Sequence, residues 1–416
     1  MTFSSLAALS HIWRTVTELL RFEEQSIDFI PKTYEDEIWE KGVEPESRSL
    51  RLIYHSSHLE WHVKVTFKGT LQAGQTKNFA SKPERREHLM NLCLCINFDP
   101  IKLLDDTVTE LIIMYQKDAT ISTPQFQNLR FKATPDAESE YTPIINQLCV
   151  IIREDPFRVR FPMYESFGHI LTKDLSEITK TQELSNGVHK AFVVGDEITY
   201  VYKEVDRPLY EPRDSEVLEQ ELRNLTKLRG IDGVVQLVAA VVSRNPYQTT
   251  KASKIDGQTV LRGILLEYHS NGTLQDVLRS PRKDLPWRQW AVQITNALNR
   301  LHQLGITHMD LKPANIVLSR SSEDLKATLI DLSGIGGTTR GWLSPEMETL
   351  SNPLSQDIES RIQNDIWALG KILSEMGDAA CGGTEQGVLK RVSQHATSKN
   401  PPRIPLQDVL SMLSEP

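Results

Sequence analysis

Three polar side chains stand close together in the stretch THMDLKPANIVL at residues 307–318: Asp310, Lys312 and Asn315. Downstream, the stretch ATLIDLSGIGG places Asp331 at the end of an apolar, strand-like run and then continues into glycines. Because both acidic residues adjoin short strand-like runs, they suggest one shared polar site. The alternative interpretation of each is an isolated turn or capping carboxylate, since Asp is common at turns.

The composition limits the kinds of protein that this chain can be. Its 416 residues leave room for about two or three domains of roughly 150 residues, each with its own core. Ordinary apolar and charged fractions are typical of a globular protein. The net charge of -8 argues against a nucleic-acid partner. The longest apolar run, VVQLVAAVV, has the length of a buried strand and not the ~20 residues that span a bilayer, so we expect no membrane partner. The oligomeric state stays open.

The cysteines and the N-terminal stretch indicate a protein that is not secreted. Four cysteines are too few for a disulfide framework, and Cys93 and Cys95 lack a second pair at metal-binding spacing. Reduced thiols are typical of the cytoplasm or the nucleus. The stretch MTFSSLAALSHIWRTVTELLRF lacks the early basic region of a signal peptide. Helical spacing of its apolar residues instead predicts an amphipathic helix: Leu6, Leu9, Trp13, Val16 and Leu20.

Residues 1–155 predict an α+β domain of unknown role. The stretch SLRLIYHSSHLEWHVKVTFKG alternates apolar and polar residues, which is typical of a β-hairpin. Helical patterns follow at residues 84–94 and 107–116. We interpret the histidines of the hairpin as solvated side chains and not as metal ligands: His55, His58 and His62. A regulatory or substrate-selecting domain and a structural brace are both open.

After about Asp155 the pattern changes to short strands followed by helices. The runs ITKTQEL, HKAFVV and ITYVYKEV are separated by Ser-Asn-Gly and Gly-Asp turns. A helix is predicted at residues 215–228, the strands VVQLVAAVV and RGILLEY follow, and helical patterns dominate from Trp287 onward. A small strand-rich lobe therefore precedes a helical lobe, with the polar residues of the predicted site at their junction.

Four motifs in this order resemble the eukaryotic protein kinase family over roughly residues 177–413. HMDLKPAN is similar to the catalytic loop H-R-D-L-K-x-x-N, IDLSG to D-F-G, WLSPEM to A-P-E, and NDIWALG to the helix that follows. The loop version with Lys312 resembles the Ser/Thr type, in a divergent form. The pairing of YEPRDSEVLEQELRNL with GITHMDLKPANIVL resembles, more narrowly, protein kinase-like proteins of filamentous fungi.

The resemblance implies an α+β, bilobal protein kinase-like fold. A small antiparallel β-rich N-lobe with one helix would occupy residues 156–268. A helical C-lobe of reduced size would occupy residues 269–416, because little room remains for helices between Met376 and Leu406. The α+β domain of residues 1–155 would precede both lobes.

The resemblance also assigns roles to the polar residues, because phosphoryl transfer depends mainly on positioning and electrostatics. Asp310 would be the base that orients and deprotonates the acceptor hydroxyl. Lys312 would neutralise charge on the moving phosphoryl group. Asn315 and Asp331 would bind Mg²⁺ with hard oxygen ligands. ATP and Mg²⁺ are therefore the expected cofactors.

The resemblance also assigns roles to residues of the small lobe. Lys203 in YVYKEV matches the family's V-A-I-K lysine, which binds the α and β phosphates, and Glu221 is its expected partner. Gly187 is the remaining glycine of the phosphate-binding loop, so weaker nucleotide handling is expected. The stretch LLEYHSNGTL resembles the hinge that faces adenine, with the gatekeeper first: Leu266, Glu267 and Tyr268. Other matches imply architecture only: Glu346, Asp365 and Arg403.

Three departures from the family pattern affect regulation. Met309 replaces the Arg of the catalytic loop, which removes a cation that usually receives an activation-loop phosphate. Catalysis is therefore expected not to depend on that phosphorylation. Leu332 and Ser333 replace the Phe and Gly that follow the magnesium-binding Asp, and Ser disfavours the backbone flip that Gly permits.

Three functions remain open from the sequence. The first is an ATP- and magnesium-dependent kinase acting on Ser or Thr of an unidentified protein. The second is a pseudokinase that serves as a nucleotide-binding scaffold, because the phosphate-binding loop has few glycines. The third is a small-molecule kinase, because the lobe that usually docks proteins is reduced. Fold alone does not decide among them.

Overall fold

The computed structural model describes thirteen stretches of the chain: residues 26–37, 43–56, 59–71, 80–118, 126–132, 141, 143–164, 170–205, 210–247, 258–279, 285–321, 324–380 and 383–415. They belong to two compact units: unit 1, Met1–Arg158 with Arg244–Gln258, and unit 2, Val159–Ser243 with Thr259–Pro416. The amphipathic helix predicted at the N-terminus lies outside the described residues. Within them, no helix combines the length and the apolar character that crossing a membrane requires.

The described residues of unit 1 form a mixed sheet with one helix. Its strands are β1 Ser26–Phe29, β2 Glu35–Glu37, β3 Ser47–Ser56, β4 Leu59–Lys68, β5 Val108–Tyr115, β6 Phe126–Asn128 and β7 Leu148–Glu154, and the helix is α1 Lys82–Cys95. The order is β1-β3-β4-β5-β7-β6, with β2 paired to β3. The predicted hairpin is confirmed as β3 and β4, with Ser47 opposite Lys68. Alternate β4 residues such as Val63 and Phe67 are fully buried in the core that α1 covers.

Helix α1 begins where the sequence supplies a capping box. The Ser81 N–H donates to Glu84 Oε2 at 2.6 Å, and the Glu84 N–H donates to Ser81 Oγ at 3.5 Å. These two bonds satisfy amide donors that a helix start otherwise leaves unpaired, and Pro83 in the first turn lacks such a donor. The helix predicted at residues 84–94 is therefore confirmed.

The helix predicted at residues 107–116 is wrong, because this stretch forms β5 between β4 and β7. A helical interpretation treats Glu110 as a solvent-facing residue, but Glu110 is 2% exposed. Its carboxylate lies 3.3 Å from Lys64 Nζ and 2.6 Å from Arg153 Nη2 on the neighbouring strands. These long-range ion pairs let a charged residue occupy a buried strand, where β-branched neighbours favour the extended form.

The strands of unit 2 form one sheet next to a single long helix. They are β8 Thr172–Asp174, β9 Ile178–Ser185, β10 Val188–Val193, β11 Tyr200–Glu204, β12 Leu237–Arg244 and β13 Thr259–Glu267, and the helix is α2 Pro212–Lys227. The order is β8-β12-β13-β11-β10-β9. Strands β9, β10, β11 and β13 pair antiparallel, whereas β8 runs parallel to β12. Leu218, Leu222 and Leu225 of α2 are buried in the main core.

The rest of unit 2 is mainly helical. Its elements are α3 Leu274–Arg279, α4 Trp287–Gln303, β14 Ile316–Ser321, β15 Asp324–Leu329, α5 Pro345–Glu348, α6 Ile358–Ala379, α7 Thr384–Ala396 and α8 Leu406–Ser414. Trp287 and Trp290 of α4 are fully buried with their rings 5.3 Å apart. Between α6 and α8, where little room was expected, the described residues form α7. A side chain at Gly370 would meet Ala396 of α7 at 2.7 Å, so glycine permits this close packing.

Two buried polar contacts fix the loops of this helical part. Arg403, whose side chain is fully buried, donates to both carboxylate oxygens of Glu346 at 2.6 and 2.9 Å. Asp365 accepts the backbone N–H groups of His308 and Met309 at 2.7 and 2.8 Å. Both architectural predictions are confirmed. The backbone that leads into Asp310 is therefore held by a carboxylate on α6.

Candidate active site

A cleft of 840 Å³ in unit 2 lies between the sheet and the helical part. This volume is in the range of small-molecule sites. Apolar side chains from both sides form its walls: Val188, Val201, Leu266, Val317 and Ile330. The polar end of the cleft contains Lys203, Glu221, Asn315 and Asp331. A ligand with a flat apolar part and an anionic part therefore fits the cleft.

Lys203, Glu221 and Asp331 meet at the polar end of the cleft. Strand β11 carries Lys203, whose Nζ lies 2.5 Å from Glu221 Oε2 on α2 and 2.7 Å from Asp331 Oδ1 after β15. Burial opposes the charge on Lys203, but Asp331 and Glu221 raise the pKa of its ammonium group. Lys203 lowers the pKa of Asp331, whereas burial raises the pKa of Glu221 against the effect of Lys203. A fixed cation and an ionised carboxylate are thus placed side by side.

Asp310, Lys312 and Asn315 form the second polar group. Lys312 Nζ donates to Asp310 Oδ2 at 2.7 Å, and Asn315 Nδ2 donates to the Asp310 backbone oxygen at 2.8 Å. Lys312 Nζ also donates to Thr339 Oγ1 at 2.8 Å. The other carboxylate oxygen, Asp310 Oδ1, is buried and has no hydrogen-bond partner among the described residues. This oxygen can therefore accept a hydrogen bond from a bound molecule.

The turn that follows Asp331 is held by side chains from two helices. Asn224 Nδ2 on α2 donates to the backbone oxygens of Leu332 and Ser333 at 2.7 and 3.1 Å. Arg361 Nη2 on α6 donates to the Gly334 oxygen at 2.7 Å. Asp331 itself has φ of 62°, a left-handed conformation that costs energy for a residue other than glycine. These hydrogen bonds to the residues that follow Asp331 explain why this conformation persists.

Gly187 lies in a tight hairpin turn and not in an extended glycine-rich loop. Ser185 of β9 is opposite Val188 of β10, so Asn186 and Gly187 alone form the turn. Gly187 has φ of 72°, and a Cβ there would lie 2.5 Å from the Glu204 oxygen. Only glycine lets the hairpin approach β11 this closely, next to Lys203.

The three predicted hinge residues line the cleft at the end of β13. Leu266 is 5% exposed. The Glu267 N–H donates to the Gln236 oxygen at 3.2 Å, so this N–H is already used inside the protein. The centre of the Tyr268 ring lies 4.9 Å from Lys190 Nζ, so this contact links the residue after β13 to β10. A ligand at the hinge therefore has to use other main-chain groups than the Glu267 N–H.

Asn315 and Asp331 could hold a magnesium ion. Asn315 uses its amide nitrogen as a donor to Asp310, which leaves the amide oxygen as a ligand. Lys203 contacts Oδ1 of Asp331, which leaves Oδ2. Within the described residues, no group of three or more His, Cys, Asp or Glu could hold a metal by itself. Two hard oxygen ligands fit magnesium that shares its remaining ligands with phosphates.

Sequence reasoning did not identify several residues of this site. Asn224 lies three residues after Glu221, so both project from one side of α2, and this spacing is a signal that could have been used. Thr339 gave no comparable signal, because its contact with Lys312 spans 27 residues of chain. The apolar walls were also missed: Val188, Val201, Val317 and Ile330.

A family model and several curated relatives match part of this chain. Residues 185–400, just over half of the chain, match the family model of the protein kinase domain. The chain is 34% identical over 134 residues to serine/threonine-protein kinase nekl-2 of Caenorhabditis elegans, covering 27% of this chain and 36% of that protein. It is 33% identical over 126 residues to human mitogen-activated protein kinase kinase kinase 4, covering 27% of this chain and 8% of that protein.

The similarity to these relatives concerns one region of each protein. A third relative, mitogen-activated protein kinase kinase kinase 13-B of Xenopus laevis, is 32% identical over 127 residues, with 12% of its length covered. The chain thus spans about a third or less of the curated relatives named here. The family model, by contrast, covers both sides of the cleft, from the turn at Gly187 to α7. The chain belongs to the protein kinase family.

Proposed function

We propose that the chain is an ATP- and magnesium-dependent kinase that transfers the γ-phosphoryl group of ATP to a serine or threonine hydroxyl of a protein. The observation that carries this proposal is the buried Asp310 Oδ1, which has no hydrogen-bond partner within the part of the chain that the structure describes. Leaving a buried acceptor unpaired costs about 1–3 kcal/mol, so a donor from a ligand is expected there. A substrate hydroxyl supplies such a donor, and Lys312 lies on the other oxygen of the same carboxylate.

Each group of residues in the cleft has its own role in phosphoryl transfer. The apolar walls accept the base of the nucleotide, and Lys203 neutralises its phosphates. Asp310 Oδ1 orients the acceptor hydroxyl and takes its proton, while Lys312 neutralises charge near the transferred group. Asn315 and Asp331 hold magnesium, which when bound neutralises charge on the phosphate oxygens. Each of these groups is held by protein contacts before substrate arrives, which favours catalysis by preorganisation.

Identification of the amino acid that receives the phosphate tests this proposal. The purified 416-residue chain is incubated with magnesium, ATP labelled on its terminal phosphate and a generic protein substrate, and the labelled product is hydrolysed to amino acids. Phosphoserine or phosphothreonine is expected. Label on tyrosine alone contradicts the Ser/Thr proposal, and ATP consumption without labelled protein indicates a small-molecule acceptor or simple hydrolysis of ATP. Nucleotide binding without consumption indicates a scaffold.

Activity is expected not to depend on phosphorylation of the segment between Asp331 and Glu346. Met309 is 1% exposed, so the position of the family's arginine is filled by a buried apolar side chain. The segment is instead tied to α6: Arg361 contacts the Gly334 oxygen, and Lys371 Nζ contacts the Gly341 oxygen at 2.5 Å. Phosphatase treatment before the assay should leave the transfer rate within about twofold. A large loss of activity after treatment would contradict this expectation.

Replacing Gly187 by Ala should weaken ATP binding. The new Cβ would collide with the Glu204 oxygen, so the hairpin must move away from β11 and from the phosphates that Lys203 binds. The expected rise in KM for ATP is about tenfold, or ~1.4 kcal/mol. Gly195→Ala is the matched control, because Gly195 has φ of 84° but nothing within 4 Å of the added Cβ. Equal effects of the two changes on KM would show that backbone strain alone, and not the approach to β11, matters.

A further inference from the structure

A short segment that precedes the family match packs against the start of β13. Residues 159–164, called here the brace segment, directly follow Arg158, where the first stretch of unit 1 ends, but belong to unit 2. The family match begins only at residue 185. The Tyr164 N–H donates to the Thr259 oxygen at 2.9 Å, and the Leu261 N–H donates to the Pro162 oxygen at 2.8 Å. The brace segment is thus hydrogen-bonded to the sheet as an extended chain.

The brace segment pairs with β13 beyond the end of β11. The last pair between β11 and β13 joins Glu204 to Gly263. The bridge from Met163 to Val260 lies closer to the start of β13. Among the described residues, no other strand pairs with the start of β13 on this side. The brace segment therefore extends the sheet beyond Glu204, where β11 ends.

Side chains of the brace segment bury apolar surface in the core that also contains α2. Val159 is 5% exposed and shares this core with Leu218 and Leu222 of α2. Phe161 packs on the same core, and the Arg262 guanidinium lies 4.1 Å from the centre of its ring. A cation above an aromatic ring adds attraction to the apolar contact. These contacts favour one position of the segment.

A direct hydrogen bond connects the brace segment to the first turns of α2. Ser215, which is 6% exposed, donates its hydroxyl to the Arg160 oxygen. The same hydroxyl lies 2.9 Å from the Tyr210 hydroxyl. Ser215 is on the helix that carries Glu221, the partner of Lys203. The end of α2 that precedes Glu221 is thus fixed by residues outside the family match.

We propose that the brace segment is a positioning element that sets α2, and through it the Lys203–Glu221 pair, for phosphoryl transfer. The proposal rests on the proposed function for its effect on catalysis, but its effect on α2 stands independently of that function. Release of the segment lets the start of α2 move, which separates Glu221 from Lys203 and lowers kcat. Residues that precede the family match therefore control the active site.

The test uses two variants of the whole 416-residue chain. Phe161→Ala removes the aromatic packing, and Ser215→Ala removes the hydroxyl donor. Each should lower kcat by about tenfold with KM for the protein acceptor nearly unchanged, because a displaced helix misaligns the phosphates and not the acceptor site. Each should also increase amide hydrogen exchange of α2 around Glu221 by about tenfold. Ser215→Thr keeps the donor and should restore both values.

Matched controls separate positioning from general destabilisation. Tyr210→Phe removes only the second hydroxyl next to Ser215, and Phe157→Ala truncates an exposed aromatic residue four positions before Phe161. Both should leave kcat and α2 exchange near the wild-type values. Wild-type exchange of α2 in Phe161→Ala and Ser215→Ala overturns the proposal. If the wild type transfers no phosphate but the exchange differences appear, the proposed function fails and the positioning role stands.

Discussion

Asp310→Asn lowers kcat for phosphoryl transfer by about 10³-fold and changes KM for ATP little. The loss is expected because Asn cannot accept the proton of the substrate hydroxyl at Oδ1, and a general base typically contributes about 10²–10⁴-fold. Nucleotide binding should persist, because Lys203 and the apolar walls lie on other elements of the cleft. Steady-state kinetics with labelled ATP and a generic protein substrate measures both constants.

The fold of Asp310→Asn should be intact, so the loss is one of chemistry. Asn315 donates to the backbone oxygen of Asp310, and this bond does not depend on the side chain. Asp196→Asn is the matched control, because the Asp196 carboxylate accepts from the Ile198 N–H and the Tyr200 hydroxyl in a turn away from the cleft. If Asp310→Asn kept more than about a tenth of wild-type kcat, Asp310 would not be the base.

Asn224→Asp lowers kcat by about 10²-fold without loss of the fold. Asn224 is 3% exposed, and its amide nitrogen bonds two backbone oxygens after Asp331. Gln220 Nε2 donates to Asn224 Oδ1 at 2.9 Å, which fixes the amide orientation. A carboxylate oxygen in place of the nitrogen would repel both carbonyl groups. Losing two buried hydrogen bonds costs ~3 kcal/mol. This corresponds to an about 10²-fold smaller fraction of molecules with the turn in place, and kcat falls by the same factor.

A charge-matched control distinguishes this effect from the added negative charge. Arg223→Gln changes the net charge by the same amount on the neighbouring residue of α2, whose side chain is 49% exposed. It should leave kcat within about twofold, since surface ion pairs contribute little. Thermal unfolding reports whether each variant is folded at the assay temperature. Equal kcat values for Asn224→Asp and Arg223→Gln would contradict a role of Asn224 in holding the turn.

The sequence predicts those parts of the fold that depend on local pattern. The hairpin β3–β4 and helix α1 follow from alternation and from a capping box within four residues. Strand β5 could not be predicted in this way, because its Glu110 is satisfied by Lys64, 46 positions earlier, and by Arg153. Neighbouring residues carry no information about such a partner.

In the candidate site, too, the sequence predicts contacts between neighbouring residues but not contacts between distant ones. Asp310, Lys312 and Asn315 lie within six residues, so their proximity was visible in the sequence. Lys203 and Asp331 are 128 residues apart, and their proximity came only from the family resemblance. Asn224 was missed because a polar residue on an amphipathic helix is usually solvent-facing. Its burial depends on the turn after Asp331, which no helical pattern indicates.

Label transfer by the wild type and by Asp331→Asn, measured side by side, shows whether this cleft transfers phosphate. Both proteins are incubated with magnesium, ATP labelled on its terminal phosphate and a generic protein substrate. We expect labelled protein with the wild type and at most about a hundredth of that label with Asp331→Asn, since the negative charge that attracts magnesium and pairs with Lys203 is lost. Equal labelling by both proteins, or none by either, would show that the cleft does not transfer phosphate in this way.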